Sequence, residues 1–176
     1  AVAPQYIAMN DPQMLAPTIT WLDSGASNTP SGAKVWYLEA GRRYVDSLYV
    51  GPPALAMLAK TTGNHKYLDW MNAFYWDVYD EIFDKQEGLF YRDQRFTGSK
   101  SANGRKVIWS RGNGWVFGGL VRVLEYLPED DPQRAAEVVS RALAGLPAVM
   151  KVYNPDGTYP EGPGYWNYGT SFNVML

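Results

Sequence analysis

Apolar residues recur at the 3.6-residue spacing of an α-helix in several segments of the chain. The clearest pattern covers residues 65–84, directly after a helix break at Gly63. Residues 45–63 predict a preceding helix, with Pro52 and Pro53 in its first turn, where a missing amide hydrogen matters little. These segments therefore predict two consecutive helices.

Three further segments carry the same periodicity. Residues 107–127 predict a third helix, and residues 131–153 predict a fourth that Pro147 kinks or splits. Residues 11–22 predict a weaker helix near the start, interrupted by Pro17. No strand–helix–strand alternation accompanies these helices, so a doubly wound sheet is not expected. The fold class expected is all-α, as a helical hairpin array or an α/α toroid.

Composition removes several classes of function. The chain has 176 residues, 46% of them hydrophobic, and a net charge of -2, which gives no electrostatic reason to expect nucleic acid or a membrane as partner. It has no cysteine and one histidine, His65, so disulfides, thiolate zinc sites and multi-histidine metal sites are excluded. The first residues lack the order of a signal peptide, and we expect any targeting segment to be absent or removed.

The aromatic content, 15% of the chain, is high. Trp and Tyr combine an apolar ring with a polar tip, which suits half-buried positions at binding surfaces. Sugars are natural partners for such rings, because the CH face of a pyranose stacks on them. Composition alone leaves open whether these rings bind a ligand or fill the core.

Two segments carry the candidate chemistry, Tyr44–Pro53 and Trp109–Trp115. A partly desolvated Asp46 at a helix mouth could act as an acid or base, and Arg111 offers a planar fork for a carboxylate. Glycines around Asn113 let the backbone approach a ligand or turn sharply. The candidate substrate contacts are Arg111, Trp115, Trp109, Tyr44 and Asn113. Three structural interpretations stand beside these: Asp46 as an N-cap, Arg111 as part of an ion pair, and the tryptophans as core.

The motifs VDSLYVGPPALAMLAKTTGNHKYLD, EGLFYRDQRF and WSRGNGWVFGGLVRVLEYLPEDDP together resemble the unsaturated rhamnogalacturonyl hydrolases, glycoside hydrolase family 105, which are related to unsaturated glucuronyl hydrolases. The resemblance covers about residues 1–134. It implies an α/α toroid of six hairpins, of which this chain would supply about half. Half a toroid leaves apolar helix faces uncovered, so we expect self-association or a second segment.

The resemblance also implies a reaction. Its substrate is an oligosaccharide with a 4,5-unsaturated uronic acid at the non-reducing end, as in degraded pectin, and the double bond is hydrated. An Asp protonates C4, water adds at C5, and the resulting hemiketal opens with loss of the sugar. Asp46 matches the acid/base position, and Arg111 and Trp115 match positions around the unsaturated sugar, with Trp109 beside them. No metal or organic cofactor is implied, and the compartment implied is the bacterial cytoplasm or periplasm.

The end of the chain has a different resemblance. Residues 135–176, with the block Tyr-Pro-Glu-Gly-Pro-Gly-Tyr-Trp, are similar to heparinase II/III-type polysaccharide lyases, which places a candidate seam near residue 134. That resemblance implies Tyr165 or Tyr168 in β-elimination, assisted by Glu161. The first alternative to the hydrolase is therefore a uronate polysaccharide lyase. The second is a non-catalytic helical module that binds acidic oligosaccharide or assembles with another chain.

Overall fold

A computed structural model describes residue 13 and residues 15–25, 27–28, 34–35 and 43–151. These residues form a mostly helical fold with two short antiparallel strand pairs. In chain order the elements are α1 (Ala16–Gly25), β1 (Ser27–Asn28), β2 (Lys34–Val35), α2 (Ser47–Thr62), α3 (Lys66–Ile82), β3 (Phe83–Asp84), β4 (Leu89–Phe90), a 3-10 turn (Gln94–Phe96), α4 (Ser110–Tyr126) and α5 (Pro132–Met150).

The five predicted helices are present, but the prolines act differently from the prediction. Pro52 and Pro53 lie inside α2 rather than in its first turn, because this helix begins at Ser47. Pro17 is the second residue of α1, where its fixed φ fits the first turn, so it does not interrupt that helix. Pro147 does not split α5, which continues as one helix to Met150.

Helix α2 lies at the centre of the packing. It contacts both α3 and α4, and α4 also contacts α5. Leu55, Leu68, Phe74 and Val78 are fully buried on α2 and α3. Burial of a large apolar side chain stabilises the fold by about 1.5–3 kcal/mol. This core fixes the position of the N-terminal end of α2 relative to its neighbours.

Two glycines allow very close helix contacts. A Cβ atom on Gly51 would lie 1.7 Å from a ring carbon of Phe74, so α2 approaches α3 without room for a side chain. A Cβ atom on Gly119 would lie 2.3 Å from the carbonyl oxygen of Leu48. That carbonyl has lost its usual helical donor, because Pro52 has no amide hydrogen. Helices α2 and α4 therefore cross where the Leu48 carbonyl of α2 lacks its helical hydrogen bond and Gly119 of α4 lacks a side chain.

A hairpin and a loop connect α3 to α4. Strands β3 and β4 pair with Phe83 opposite Phe90 and Asp84 opposite Leu89, around a turn in which Gly88 has a φ of 70°. After β4 the chain passes beside the entry to α2, where the amide of Val45 donates to the carbonyl of Arg92 over 3.0 Å. The loop thus carries its side chains to the mouth of α2.

Candidate active site

Asp46 occupies the N-cap position of α2, yet its side chain makes no capping hydrogen bond. Its backbone has helical angles, with φ -60° and ψ -25°, and this differs from the extended backbone usual at a capping residue. The side chain is half-buried, and its Oδ1 atom is buried without a hydrogen-bond partner among the described residues. A buried carboxyl oxygen with no donor is costly in the ionised state. The structural interpretation of Asp46 as a cap is therefore wrong.

Burial raises the pKa of the Asp46 carboxyl above its ordinary value of 3.8, while the charges of Arg111 and Arg92 oppose this rise. The net direction is upward because loss of hydration outweighs the two guanidinium groups. A carboxyl group whose pKa is raised by burial, with cations in reach to stabilise its anion, can both give and take a proton.

The first turn of α4 brings Arg111 to this carboxyl. The guanidinium carbon of Arg111 lies 4.2 Å from the centroid of the Trp109 ring, in a cation–π contact. Gly112 makes the approach possible, because a Cβ atom there would lie 2.5 Å from Cγ1 of Val45. Of the ligand approach and the sharp turn predicted for the glycines of this segment, the structure shows neither at Gly112, where Val45 takes the space beside the backbone. The glycine instead lets α4 pack beside the residue that precedes Asp46.

Asn113, predicted as a substrate contact, is buried and bonded to the backbone of neighbouring segments. It is 3% exposed. Its Oδ1 accepts from the amide of Phe90 over 2.8 Å, and its Nδ2 donates to the carbonyls of Phe90 and Trp109, both over 2.9 Å. Its polar atoms are thus used to join strand β4 to the start of α4. Asn113 holds the backbone of Trp109 in place instead of meeting a ligand beside Asp46.

Two arginines outside the set of predicted site residues also lie at this mouth. Arg92 and Arg95 each donate to the phenol oxygen of Tyr44, over 3.0 and 2.9 Å. Both also pair with Asp93, which is 0% exposed and accepts from Arg92 Nε over 3.0 Å and from Arg95 Nε over 2.9 Å. The Arg-Asp-Gln-Arg spacing of residues 92–95 shows two cations beside one carboxylate, but it does not show that they lie at the N-terminal end of α2.

Asp93 holds the two arginines as a fixed unit. Hydrogen bonds from Arg95 lower the pKa of Asp93 to about 2, against the effect of its burial. Its charge is therefore committed to Arg92 and Arg95, whose side chains are 36% and 50% exposed. The exposed faces of these guanidinium groups, together with Arg111, make the surroundings of Asp46 suited to an anionic ligand.

Of the remaining predicted site residues, only Trp115 lies in the part of the chain that the structure describes. Trp115 lies on α4 with its ring centroid 4.2 Å from that of Tyr49, on α2. Tyr165, Tyr168 and Glu161 lie outside the described residues. Within the described part of the chain, no group of three or more His, Cys, Asp or Glu side chains could hold a metal ion, and no helix there is long and apolar enough to cross a bilayer.

Comparison with known proteins finds a family model that matches most of the chain. The model, described as Glycosyl Hydrolase Family 88, matches residues 1–161. An unsaturated 3S-rhamnoglycuronyl hydrolase of Alteromonas sp. is 37% identical over 173 residues, which cover 87% of this chain and 41% of that protein. The chain thus spans less than half the length of this curated relative. The sequence resemblance to unsaturated-uronyl hydrolases is confirmed.

Solved structures agree on the fold. A polysaccharide lyase has a TM-score of 0.79 and 28% identity, over 99% of this chain and 51% of that one. A glycosyl hydrolase of family 88 from Bacteroides vulgatus has a TM-score of 0.78 and 25% identity, over 98% of this chain and 52% of that one. The predicted α/α toroid, present as about half of the full architecture, is confirmed.

Proposed function

Because the chain belongs to glycoside hydrolase family 88, we propose that its Asp46 mouth binds an unsaturated uronyl sugar and hydrates the double bond of that sugar. The observation that carries this proposal is the Asp46 carboxyl itself, with a buried Oδ1 that has no donor among the described residues and a pKa raised by burial. An acid of this kind is needed to protonate a carbon atom, which is a poor base compared with oxygen or nitrogen.

The reaction follows from that acid. The protonated Asp46 gives its proton to C4, and the positive charge that develops at C5 is shared with the ring oxygen. Water adds at C5 and returns a proton to the Asp46 carboxylate, which restores the starting state. The hemiketal formed in this way opens with loss of the attached sugar, so one water is consumed for each bond broken. Asp46 thus acts first as acid and then as base.

Binding of the uronate falls to the guanidinium groups around the acid. Arg111 is oriented by Trp109 at 4.2 Å, and its planar fork matches a carboxylate. Arg92 and Arg95 are fixed by Tyr44 and Asp93, so little side-chain freedom is lost when an anion binds. Trp115, beside Tyr49, supplies an aromatic surface for the sugar.

The substrate class and the place of action belong to the same proposal. The similar Alteromonas protein is described as an unsaturated 3S-rhamnoglycuronyl hydrolase, and we extend only the substrate class, an acidic unsaturated oligosaccharide, to this chain. No cofactor is proposed. The family match continues across residue 134 to residue 161, which supports one toroid unit rather than a seam at that position. From the sequence resemblance we propose a bacterial cytoplasmic or periplasmic site of action.

The proposal is tested by the ultraviolet absorbance of the carbon–carbon double bond. The purified chain is incubated with an unsaturated rhamnogalacturonan disaccharide, and we expect the absorbance to fall as the double bond is hydrated. Asp46→Asn serves as the inactive control and Arg105→Gln, in an exposed loop, as the neutral one. Stable absorbance with the wild-type chain, or an equal decrease with Asp46→Asn, would refute the proposal.

A lyase is the second candidate, because a polysaccharide lyase is similar over 99% of the chain at 28% identity. A lyase creates the double bond that a hydrolase removes, so absorbance would rise when intact uronate polymer is the substrate. The candidate residues for that reaction are Tyr165 or Tyr168, with Glu161. Binding without any change in absorbance would instead favour a non-catalytic module.

A further inference from the structure

A cavity of about 580 Å³ lies between α3, α4 and α5, away from the acid. Asp46, Arg111 and Trp115 do not line it, whereas Asn113 does. Its size is within the range of about 300–1,000 Å³ that is usual for small-molecule sites. Six aromatic rings form most of its apolar wall: Tyr75, Trp76, Tyr79, Phe83, Phe90 and Phe117.

Polar groups occupy one side of this cavity, which we call the α3–α5 cavity. Arg141 is central among them, with a side chain only 9% exposed. Its guanidinium carbon lies 4.7 Å from the ring centroid of Tyr75 and 4.9 Å from that of Trp76. Its Nη2 donates to Asn72 and lies 3.6 Å from a carboxylate oxygen of Glu137. Arg141 is thus held in place before any ligand arrives.

The combination of rings and guanidinium defines the ligand chemistry. Trp76 is 40% exposed although it is a large apolar side chain, so one part of its ring is open to a stacking partner. The contacts of Arg141 with Asn72 and Glu137 both use Nη2, which leaves its Nε and Nη1 donors for an anion. We propose that the α3–α5 cavity is a second, non-catalytic site for an acidic pyranose, which stacks on Trp76 and places its carboxylate on Arg141.

This proposal does not depend on the hydrolase reaction, and its test separates the two. The ¹⁵N-labelled chain is titrated with digalacturonate, a saturated uronate, and the indole N–H signals of its tryptophans are followed by NMR. We expect the Trp76 signal, assigned by its loss in Trp76→Phe, to shift and to saturate at about millimolar ligand, which corresponds to a binding free energy of about -4 kcal/mol. Arg111→Gln should leave this shift unchanged, because Arg111 does not line the cavity.

Variants and a neutral sugar make the test decisive. Trp76→Ala should abolish saturable binding to the cavity, whereas Trp70→Ala, on the same helix but outside the cavity, should preserve it. Arg141→Gln should reduce digalacturonate affinity at least about tenfold, toward the level of neutral cellobiose, since a charge-assisted bond is lost. Arg141→Lys, which keeps the charge, should have an intermediate effect. Absence of any Trp76 shift, or equal affinity for digalacturonate and cellobiose, overturns the assignment.

Discussion

The guanidinium group of Arg111 stacks on the indole ring of Trp109, with 4.2 Å between the guanidinium carbon and the ring centroid. Two residues apart in sequence, they meet because α4 begins at Ser110, between them. Trp109 remains extended, with φ -102° and ψ 105°, while Arg111 is already helical. The ring therefore orients the cation that acts on Asp46.

This stacking leads to a first prediction. Arg111→Lys keeps the charge but loses the planar fork and its stacking on Trp109. We expect KM to rise about tenfold or more, since a charge-assisted bidentate contact is replaced by a single point contact, with a smaller change in kcat. Steady-state kinetics on the unsaturated disaccharide measure both constants. Arg105→Lys is the matched control, and a change confined to kcat would contradict a binding role for Arg111.

The acid itself provides a second prediction. Asp46→Asn should lower kcat by about 10²–10⁴, the usual contribution of a general acid–base group. In the wild type, kcat should decrease as the pH rises through the raised pKa of Asp46, because the protonated acid is then lost. Binding of the substrate should stay measurable in the variant. A kcat within a few-fold of the wild type would exclude Asp46 as the acid.

The same carboxyl affects stability with a defined sign. Its pKa is raised in the folded protein, so its contribution to stability is full below the ordinary value of 3.8 and is lost as the pH rises through the folded value. Asp46→Asn stays neutral and should have a higher denaturation midpoint than the wild type at neutral pH. The difference should vanish under acidic conditions. Thermal denaturation across a pH series measures it, and a lower midpoint for the variant at neutral pH would contradict the burial of this group.

A third prediction concerns Asp93, which should have the opposite pH dependence. Its pKa is lowered to about 2, so its stabilising effect is present above 3.8 and is lost as the pH falls toward 2. Asp93→Asn should destabilise the fold at neutral pH by about 1.5–3 kcal/mol, the range for hydrogen bonds to a charged group. In urea denaturation measured across a pH series, the free energy of unfolding of this variant should also fall less than that of the wild type as the pH drops from about 4 to 2.

A matched variant distinguishes the site from the fold. Asp84 also has a pKa of about 2, because hydrogen bonds from Lys106 and Tyr91 outweigh its burial, but it lies in the β3–β4 hairpin. Asp84→Asn should reduce the loss of stability at acidic pH in the same way, without changing KM. Asp93→Asn should in addition raise KM, because it releases Arg92 and Arg95. Equal kinetics for the two variants would mean that Asp93 acts on stability alone.

The crossing of α2 and α4 provides a fourth prediction. In Gly119→Ala the new methyl group would lie 2.3 Å from the Leu48 carbonyl oxygen, which is backbone and cannot rotate away. We expect a loss of at least about 1–3 kcal/mol in the free energy of unfolding, as for other overpacked cores, and reduced activity because the crossing sets the positions of Asp46 and Arg111. Gly104→Ala, with nothing within 4 Å but a φ of +77°, should cost only about 1–2 kcal/mol of local strain and leave kcat unchanged.

The outer surface of α5 provides a fifth prediction. Val139, Leu143 and Met150 are 41%, 62% and 58% exposed on this helix. Exposed apolar side chains grouped on one element favour association, so we expect light scattering to report a mass that grows with protein concentration. Leu143→Glu should shift the chain toward the monomer. Gln133→Glu adds the same charge at an exposed polar position of α5 and is the control. A monomer at all concentrations would contradict the expectation.

Periodicity is sufficient to predict the helices that the structure describes, because the apolar residues of 65–84 and 107–127 repeat at the helical spacing over four or more turns. It does not fix where α2 begins, since Pro52 and Pro53 suggest a first turn around themselves, whereas the helix begins at Ser47. Asp46 and Arg111 are candidates that the sequence alone indicates, each from its own segment. The placement of Arg92 and Arg95 cannot be predicted in this way, because it depends on Tyr44, which is 48 and 51 residues away from them in sequence.

The bonds of Asn113 also determine how the protein ages. Asparagine followed by glycine loses its amide readily when the next backbone nitrogen can attack the side chain, and this chain has two such pairs, at Asn103 and Asn113. Three hydrogen bonds and a helical backbone hold the Asn113 amide away from that attack. Asn103 lies in an exposed loop before Gly104. Stored protein should therefore deamidate at the loop, where the reaction leaves the mouth of α2 intact.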